Sequence, residues 1–299
     1  MSLYLRPDLL GEGFSDKELR RLRRSGELGT IRPGAYVHGP PPDDLVASHL
    51  LRVRAAMEHL SGEAVVSHVS AAILHRLPLW GLGLGRVHVT RGGRCRGGRR
   101  GSLVHVRTAT LDPAEIVAVG SLPVTSIERT VVDIARSVPF TPAVVVADGA
   151  LARSTTDVGR AWEILAEMRR WPGARAAKRV LDFADGRSGS VGESRSRVAL
   201  AAAGIPMPVL QWQVRSTTGA VFDVDFGWPA LRAVGEFDGK IKYGRLLRPG
   251  EEPGDAVFRE KVREDEIRDV DLGVVRWTWQ EIDTFAVVAE RLRRRFRYG

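Results

Sequence analysis

Carboxylates and one lysine gather in the last third of the chain in an order that suits phosphodiester chemistry. Asp225 lies in the apolar run Val224-Asp225-Phe226, and Glu236-Phe237-Asp238-Gly239-Lys240 follows. Side chains of a strand alternate between its faces, so Asp223 and Asp225 share one face. Glu236 and Asp238 share one too, joined by Lys240 if the strand continues past Gly239. Acids repeated on one sheet face are costly unless something neutralises them. Magnesium does so directly, because it takes hard oxygen ligands, keeps several waters and needs only two or three carboxylates. Beside a phosphodiester it polarises a phosphoryl oxygen and generates hydroxide, and a nearby lysine stabilises the developing charge. Glu193, close to a helix start, completes the set. The candidate metal ligands are Glu193, Asp225, Glu236 and Asp238, and the same four with Lys240 are the candidate catalytic residues. Each has a plainer reading. Glu193 with Ser190 makes a capping box, Asp225 suits a half-wet strand, Asp238-Gly239 is a turn signal, and Lys240 suits any surface.

A second constellation lies near the front. Ser15 and Glu18 make a capping box behind Phe14, a staple-like residue. Leu19 and Leu22 face inward, and Lys17, Arg20, Arg21, Arg23 and Arg24 line the rest until Gly26 stops the helix. Thr30 to Val37 then reads as strand, tight turn at Pro33-Gly34, and strand, with Arg32 beside the turn. A basic helix followed by a hairpin is the order of a winged helix-turn-helix, whose helix enters the major groove while the wing touches the backbone. Lys17, Arg20, Arg21, Arg23, Arg24 and Arg32 are therefore the candidate DNA contacts. The alternative is a solvated arginine face beside an unrelated hairpin.

The elements that must position these residues follow from pattern. Pro40 to Pro42 break the chain, and helices are expected from Asp43 and from Ser67 to Leu77. Val87 to Val89 and Leu103 to Val106 read as strands around a glycine-arginine loop, Arg91 to Gly101. Thr125 and Glu128 suggest a capping box opening a helix to Ile134, with further helices around Val144, up to Arg170, and from Ala174 to Phe183. The loop Ala184 to Ser190 separates the last region. There a helix from Ser190 to Ala203 precedes strands Gln211 to Val214, Val221 to Phe226 and Leu231 to Asp238. A charged helix, Asp255 to Val270, carries Arg259 and Arg263, and a fourth strand around Val275-Arg276-Trp277 returns in parallel. The final helix ends in a run of arginines. Three domains are expected: 1–42, a winged-helix module; 43–185, an α/β middle region ending in helices; and 186–299. The fold class is α+β (mixed α/β).

Composition bounds the classes. Hydrophobic residues make up 43% and charged residues 27%, which excludes a disordered or fibrous chain. The single cysteine, Cys95, excludes an internal disulfide framework and cysteine zinc fingers. No run is long and apolar enough to span a membrane, and Arg6, Pro7 and Asp8 stand where a signal peptide is apolar, so the cytoplasm is expected with no membrane partner. The net charge of +9 favours polyanions. All seven histidines lie between His38 and His105, none at a helical metal-pair spacing; His49, His59, His68 and His75 read as packing residues.

Residues 187 to 298 resemble the small endonuclease-like domains related to very-short-patch-repair endonucleases. The resemblance rests on Glu193, Gly204-Ile205-Pro206, Gln211, Val224-Asp225-Phe226, Glu236-Phe237-Asp238-Gly239 and Val275-Arg276-Trp277, and Asp225 with Asp238-Gly239-Lys240 fits the loose PD-(D/E)XK pattern. The pattern leaves the second acid open between Glu236 and Asp238, and the histidine of the very-short-patch enzymes is missing. Phe14 to Val37 resembles the winged helix of AbiEi-type antitoxins of type IV toxin–antitoxin systems. The resemblance implies DNA binding at the front and a restriction-endonuclease-like domain with a magnesium cofactor at the back. It also implies a toxin–antitoxin or phage-defence setting, with a cognate toxin protein as a further partner. The alternative is a regulator whose nuclease fold is inactive.

Overall fold

The computed structural model describes residues 2–60, 63–92, 103–239 and 270–298. Lys240, the helix expected from Asp255 with Arg259 and Arg263, and most of the glycine-arginine loop lie outside the described residues. The described chain is mixed α+β with three separate sheets. It divides into two compact units, residues 1–150 with 155–183, and residues 151–154 with 184–299. The first 42 residues and most of the middle region lie in the first unit.

In the first unit, β1 (Leu3–Leu5), β2 (Leu28–Arg32) and β3 (Ala35–His38) form an antiparallel sheet in the order β1-β3-β2. Helices α1 (Arg6–Gly11) and α2 (Asp16–Ser25) connect β1 to β2. The capping box of α2 is complete: Ser15 Oγ accepts the Glu18 N–H, and Glu18 Oε2 accepts the Ser15 N–H at 2.8 Å. Gly26 ends the helix at φ 81°, where a side chain would be strained. Leu9, Leu19 and Tyr36 form one side of the core. Ile31 and Val37 pack on the other side with Leu51 of α3 (Leu45–His59), a helix beyond the expected 1–42 module. Phe14 is exposed rather than stapled.

A five-stranded sheet follows, in the order β6-β5-β4-β8-β7, from β4 (Ala64–Val66), β5 (Val87–Arg91), β6 (Val104–Thr108), β7 (Ile116–Val119) and β8 (Leu122–Thr125). Val66, Val87, Val89 and Val124 pack with Val53 of α3. The parallel register sets His88 beside His105 and Thr90 beside Arg107, one residue out of phase with the valines. Helices α4 (His68–Leu74), α5 (Ile127–Ser137), α6 (Phe140–Leu151), α7 (Val158–Glu167) and α8 (Ala174–Phe183) complete the unit. Ser126, not Thr125, caps α5, because Thr125 is still in β8.

The second unit starts with α9 (Val191–Ala202). Four strands follow: β9 (Val209–Arg215), β10 (Val221–Trp228), β11 (Ala233–Asp238) and β12 (Gly273–Thr278), in the order β12-β11-β10-β9. β9, β10 and β11 are antiparallel, and β12 returns parallel to β11. Two helices, Trp279–Asp283 and Ala286–Tyr298, end the chain. Phe226, Trp228, Phe237 and Trp277 build the main core with Leu200, Val288 and Leu292. Trp279 opens the first of these helices and is only partly buried. Gly192 in α9 lies against the Phe237 ring so closely that any Cβ would overlap it, so the helix approaches the sheet only with glycine there.

Candidate functional site

The basic constellation is set by the rotation of α2. At 100° per residue, burying Leu19 turns Lys17, Arg21 and Arg24 into one outward stripe with Arg20 beside it. All four are exposed, and among the described residues no hydrogen bond or ion pair holds their head groups. Arg23 sits at the margin facing the sheet. Its Nε donates to Thr30 Oγ1 at 3.1 Å, and its guanidinium lies 5.8 Å from the Tyr36 ring centre. Beside it opens a cleft of about 570 Å³ between α2 and the open end of the β2–β3 hairpin. Arg20, Arg23, Arg24, Thr30 and the Pro40-Pro41 edge line it, and no carboxylate does. Arg32 is placed apart from these residues. Its Nη1 donates 3.3 Å to the Ala55 carbonyl near the end of α3, and His59 lies beside the turn glycine Gly34.

The carboxylates fall into two groups. Glu193, 5% exposed, is the third residue of α9. Ser190 Oγ accepts its N–H at 3.2 Å and donates to its Oε1 at 2.8 Å. Its Oε2 accepts the Gly189 N–H at 2.8 Å and the Gln211 side-chain amide at 2.9 Å. Gln211 stands in β9 with φ 48°, the left-handed region that a non-glycine residue seldom occupies. Across the ladder, Asp225 Oδ2 accepts the Phe237 N–H at 2.8 Å. A side-chain oxygen thereby takes a β11 amide just beyond the last registered pair, Phe226 with Gly235. Glu236 is buried and Asp238 half-buried, and in register they neighbour Arg276 and Thr278.

The period-two reading of β10 breaks at this point. Leu210 and Phe226 enter the main core, whereas Trp212 and Val224 pack with Val214 and Val234 in a second cluster. Both strands therefore change faces between those residues, at Gln211 and Asp225. Asp223 is exposed and Asp225 half-buried, and their expected common face does not persist through the switch. Asp225 is brought to β11, and Glu193 to Gln211. Among the described residues no group of three or more His, Cys, Asp or Glu side chains is placed to hold a metal ion. Lys240 lies outside the described residues. The role of Gln211 was hidden from spacing because it depends on its left-handed backbone.

A third polar group escapes sequence reading altogether. Arg129, 1% exposed, donates from Nε to Asp133 at 3.0 Å and from Nη1 to Glu115, both carboxylates also being buried. His68, buried at φ 54°, stacks on His88 with centroids 5.9 Å apart, and His88 meets His105 at 5.3 Å. Burial, reinforced by the guanidinium of Arg107, holds His68 well below the usual imidazole range and lowers His88 to about 3. Burial likewise raises the Asp133 carboxyl, against the opposing pull of Arg129. His68, expected as a packing residue, is packed with His88, and both are held as neutral rings in a charged layer. Their assembly depends on the β5–β6 register, which links residues distant in sequence.

No helix among the described residues is long and apolar enough to cross a membrane. No protein-family model matches the chain. It is 32% identical over 138 residues to two proteins of Mycobacterium tuberculosis: uncharacterized protein Rv2248 of strain ATCC 25618 / H37Rv and uncharacterized protein MT2308 of strain CDC 1551 / Oshkosh. The matched stretch is 46% of this chain and 49% of each relative, so the chain spans about half the length of the curated relatives it matches. Among solved structures it is similar to the RV2827C protein from Mycobacterium tuberculosis, with 19% identity and a TM-score of 0.42 over 72% of this chain and 83% of that one.

Proposed function

We propose that this protein binds duplex DNA through α2, with β1 to β3, α1 and α2 acting as a winged helix-turn-helix. One observation carries the reading. Lys17, Arg20, Arg21 and Arg24 project from one exposed helix surface, their head groups held by no hydrogen bond or ion pair among the described residues, beside a cleft that no acid lines. Such cations gain by displacing the counterions of a polyanion, and a helix of ten residues fits the major groove. Fluorescence anisotropy with labelled duplexes tests it. The double variant Arg21→Ala, Arg24→Ala weakens binding and flattens the plot of log affinity against log salt by roughly 0.9 for each phosphate contact removed. Unchanged affinity removes α2 from the interface.

A second reading is phosphodiester hydrolysis by the second unit, taken as a restriction-endonuclease-like domain. It is favoured by the Asp225 carboxylate lying on the β11 amide of Phe237, between Glu236 and Asp238. The cofactor of that reading is magnesium. Supercoiled plasmid incubated with the protein and magnesium decides it: nicking that disappears in Asp225→Ala supports an enzyme. Nicking that persists at the same rate in the variant marks a contaminant, and no nicking leaves a DNA-binding regulator. A toxin–antitoxin or phage-defence role with a cognate toxin protein fits such a regulator.

A further inference from the structure

We propose that the cleft between the C-terminal half of α2 and the open end of the β2–β3 hairpin seats one phosphate of the DNA backbone, a task that winged helices commonly give to the hairpin tip. The proposal rests on the DNA-binding reading above.

The tip is engaged elsewhere. Arg32 beside it donates to the Ala55 carbonyl, and Gly34 at the turn lies against His59 of α3. The opposite end of the hairpin is open and basic, with Arg20, Arg23 and Arg24 on one wall, Thr30 on the other, and Pro40-Pro41 at the edge. Its volume of about 570 Å³ is in the range that takes small organic ligands, ample for a phosphodiester. The end of a helix carries partial negative charge and opposes an anion, so here the attraction must come from guanidinium groups. Arg23 is prepared for it. Its Nε is fixed on Thr30 and its plane is held near Tyr36, while its two Nη groups carry no hydrogen bond among the described residues. A planar donor pair already held in place loses less freedom on meeting phosphate oxygens than a free side chain does. The floor is closely packed as well. At Gly29 a Cβ would collide with the Gly39 carbonyl and Pro41, so the two backbones close the base of the cleft. Arg23 and the cleft thus serve the backbone, and Lys17 and Arg21 are left to face the groove.

The test is anisotropy of the full chain on two duplexes of unrelated sequence across a salt series. Arg23→Gln is expected to weaken binding by the same factor on both duplexes and to flatten the salt slope by roughly 0.9, the loss of one phosphate contact. Thr30→Val keeps the shape but frees Arg23, and is expected to weaken both duplexes equally while keeping the slope. Arg32→Gln, with thermal melting recorded alongside, is expected to leave the slope of wild type. The seat is overturned if Arg23→Gln leaves the slope unchanged, or if Arg32→Gln flattens it instead. Failure of the wild-type chain to bind either duplex overturns the DNA reading and the seat together.

Discussion

Two groups of arginines in the first unit use the same side chain in opposite ways. Arg129 is enclosed, with Asp133 and Glu115 against its guanidinium and neutral imidazoles nearby. Arg20, Arg21 and Arg24 stand in solvent with no carboxylate bonded to them. The enclosed charge is balanced within the fold, so it concerns stability. The open charges have no bonded partner among the described residues, so they concern what the protein meets. Net charge alone would count both alike, whereas burial and partners tell them apart.

The sharpest way to break this contrast is Arg129→Met. It leaves Asp133 and Glu115 buried without their cation, and losing one partner of a buried pair costs about 3–5 kcal/mol. Urea denaturation reads it; a loss under about 1 kcal/mol would mean that the layer is wet and its charges solvated. A smaller effect comes from acid. The lowered value of His88 means that the unfolded chain takes up a proton below about pH 6.5, while the folded chain does so only near pH 3. The stabilisation is therefore complete above pH 6.5 and is lost as pH falls, at roughly 1.4 kcal/mol per pH unit within that window. His68 acts in the same direction, and Asp133, whose carboxyl is raised, acts against them at lower pH. The urea midpoint should fall from pH 7 to pH 5, and His88→Gln should remove part of that slope; a flat profile would put these rings in water. The smallest stability effect belongs to the open group. Arg21→Ala, Arg24→Ala should leave the urea midpoint where it was while duplex binding weakens, and a shift in the midpoint would show those arginines to be part of the packing.

Local signals were the readable ones. Ser15 with Glu18 and Ser190 with Glu193 announced two helix starts through hydrogen bonds three residues apart. The Ala174–Phe183 helix and the parallel return of β12 followed from periodicity and from the need to cross back to the sheet. What stayed hidden depends on long-range contacts. Nothing near Arg32 in sequence indicates that its acceptor is Ala55 on another helix. The left-handed backbone of Gln211 reverses the facing of β9 where β10 also switches, so alternation misplaces Asp225 although its neighbours Val224 and Phe226 are both buried. The histidine stack required the β5–β6 register, and no spacing rule foretells that His88 lies beside His105.

Trp277 has a practical use. Its side chain is fully shielded, its indole N–H donates to Ser196 Oγ at 2.7 Å, and Phe226 and Phe285 lie within ring contact. A chromophore so enclosed emits at shorter wavelength than one in solvent, and it belongs wholly to the second unit. With Trp80, Trp162 and Trp171 of the first unit replaced by phenylalanine, the remaining fluorescence offers an optical gauge of the second unit's integrity, against which events in the other half of the chain can be timed.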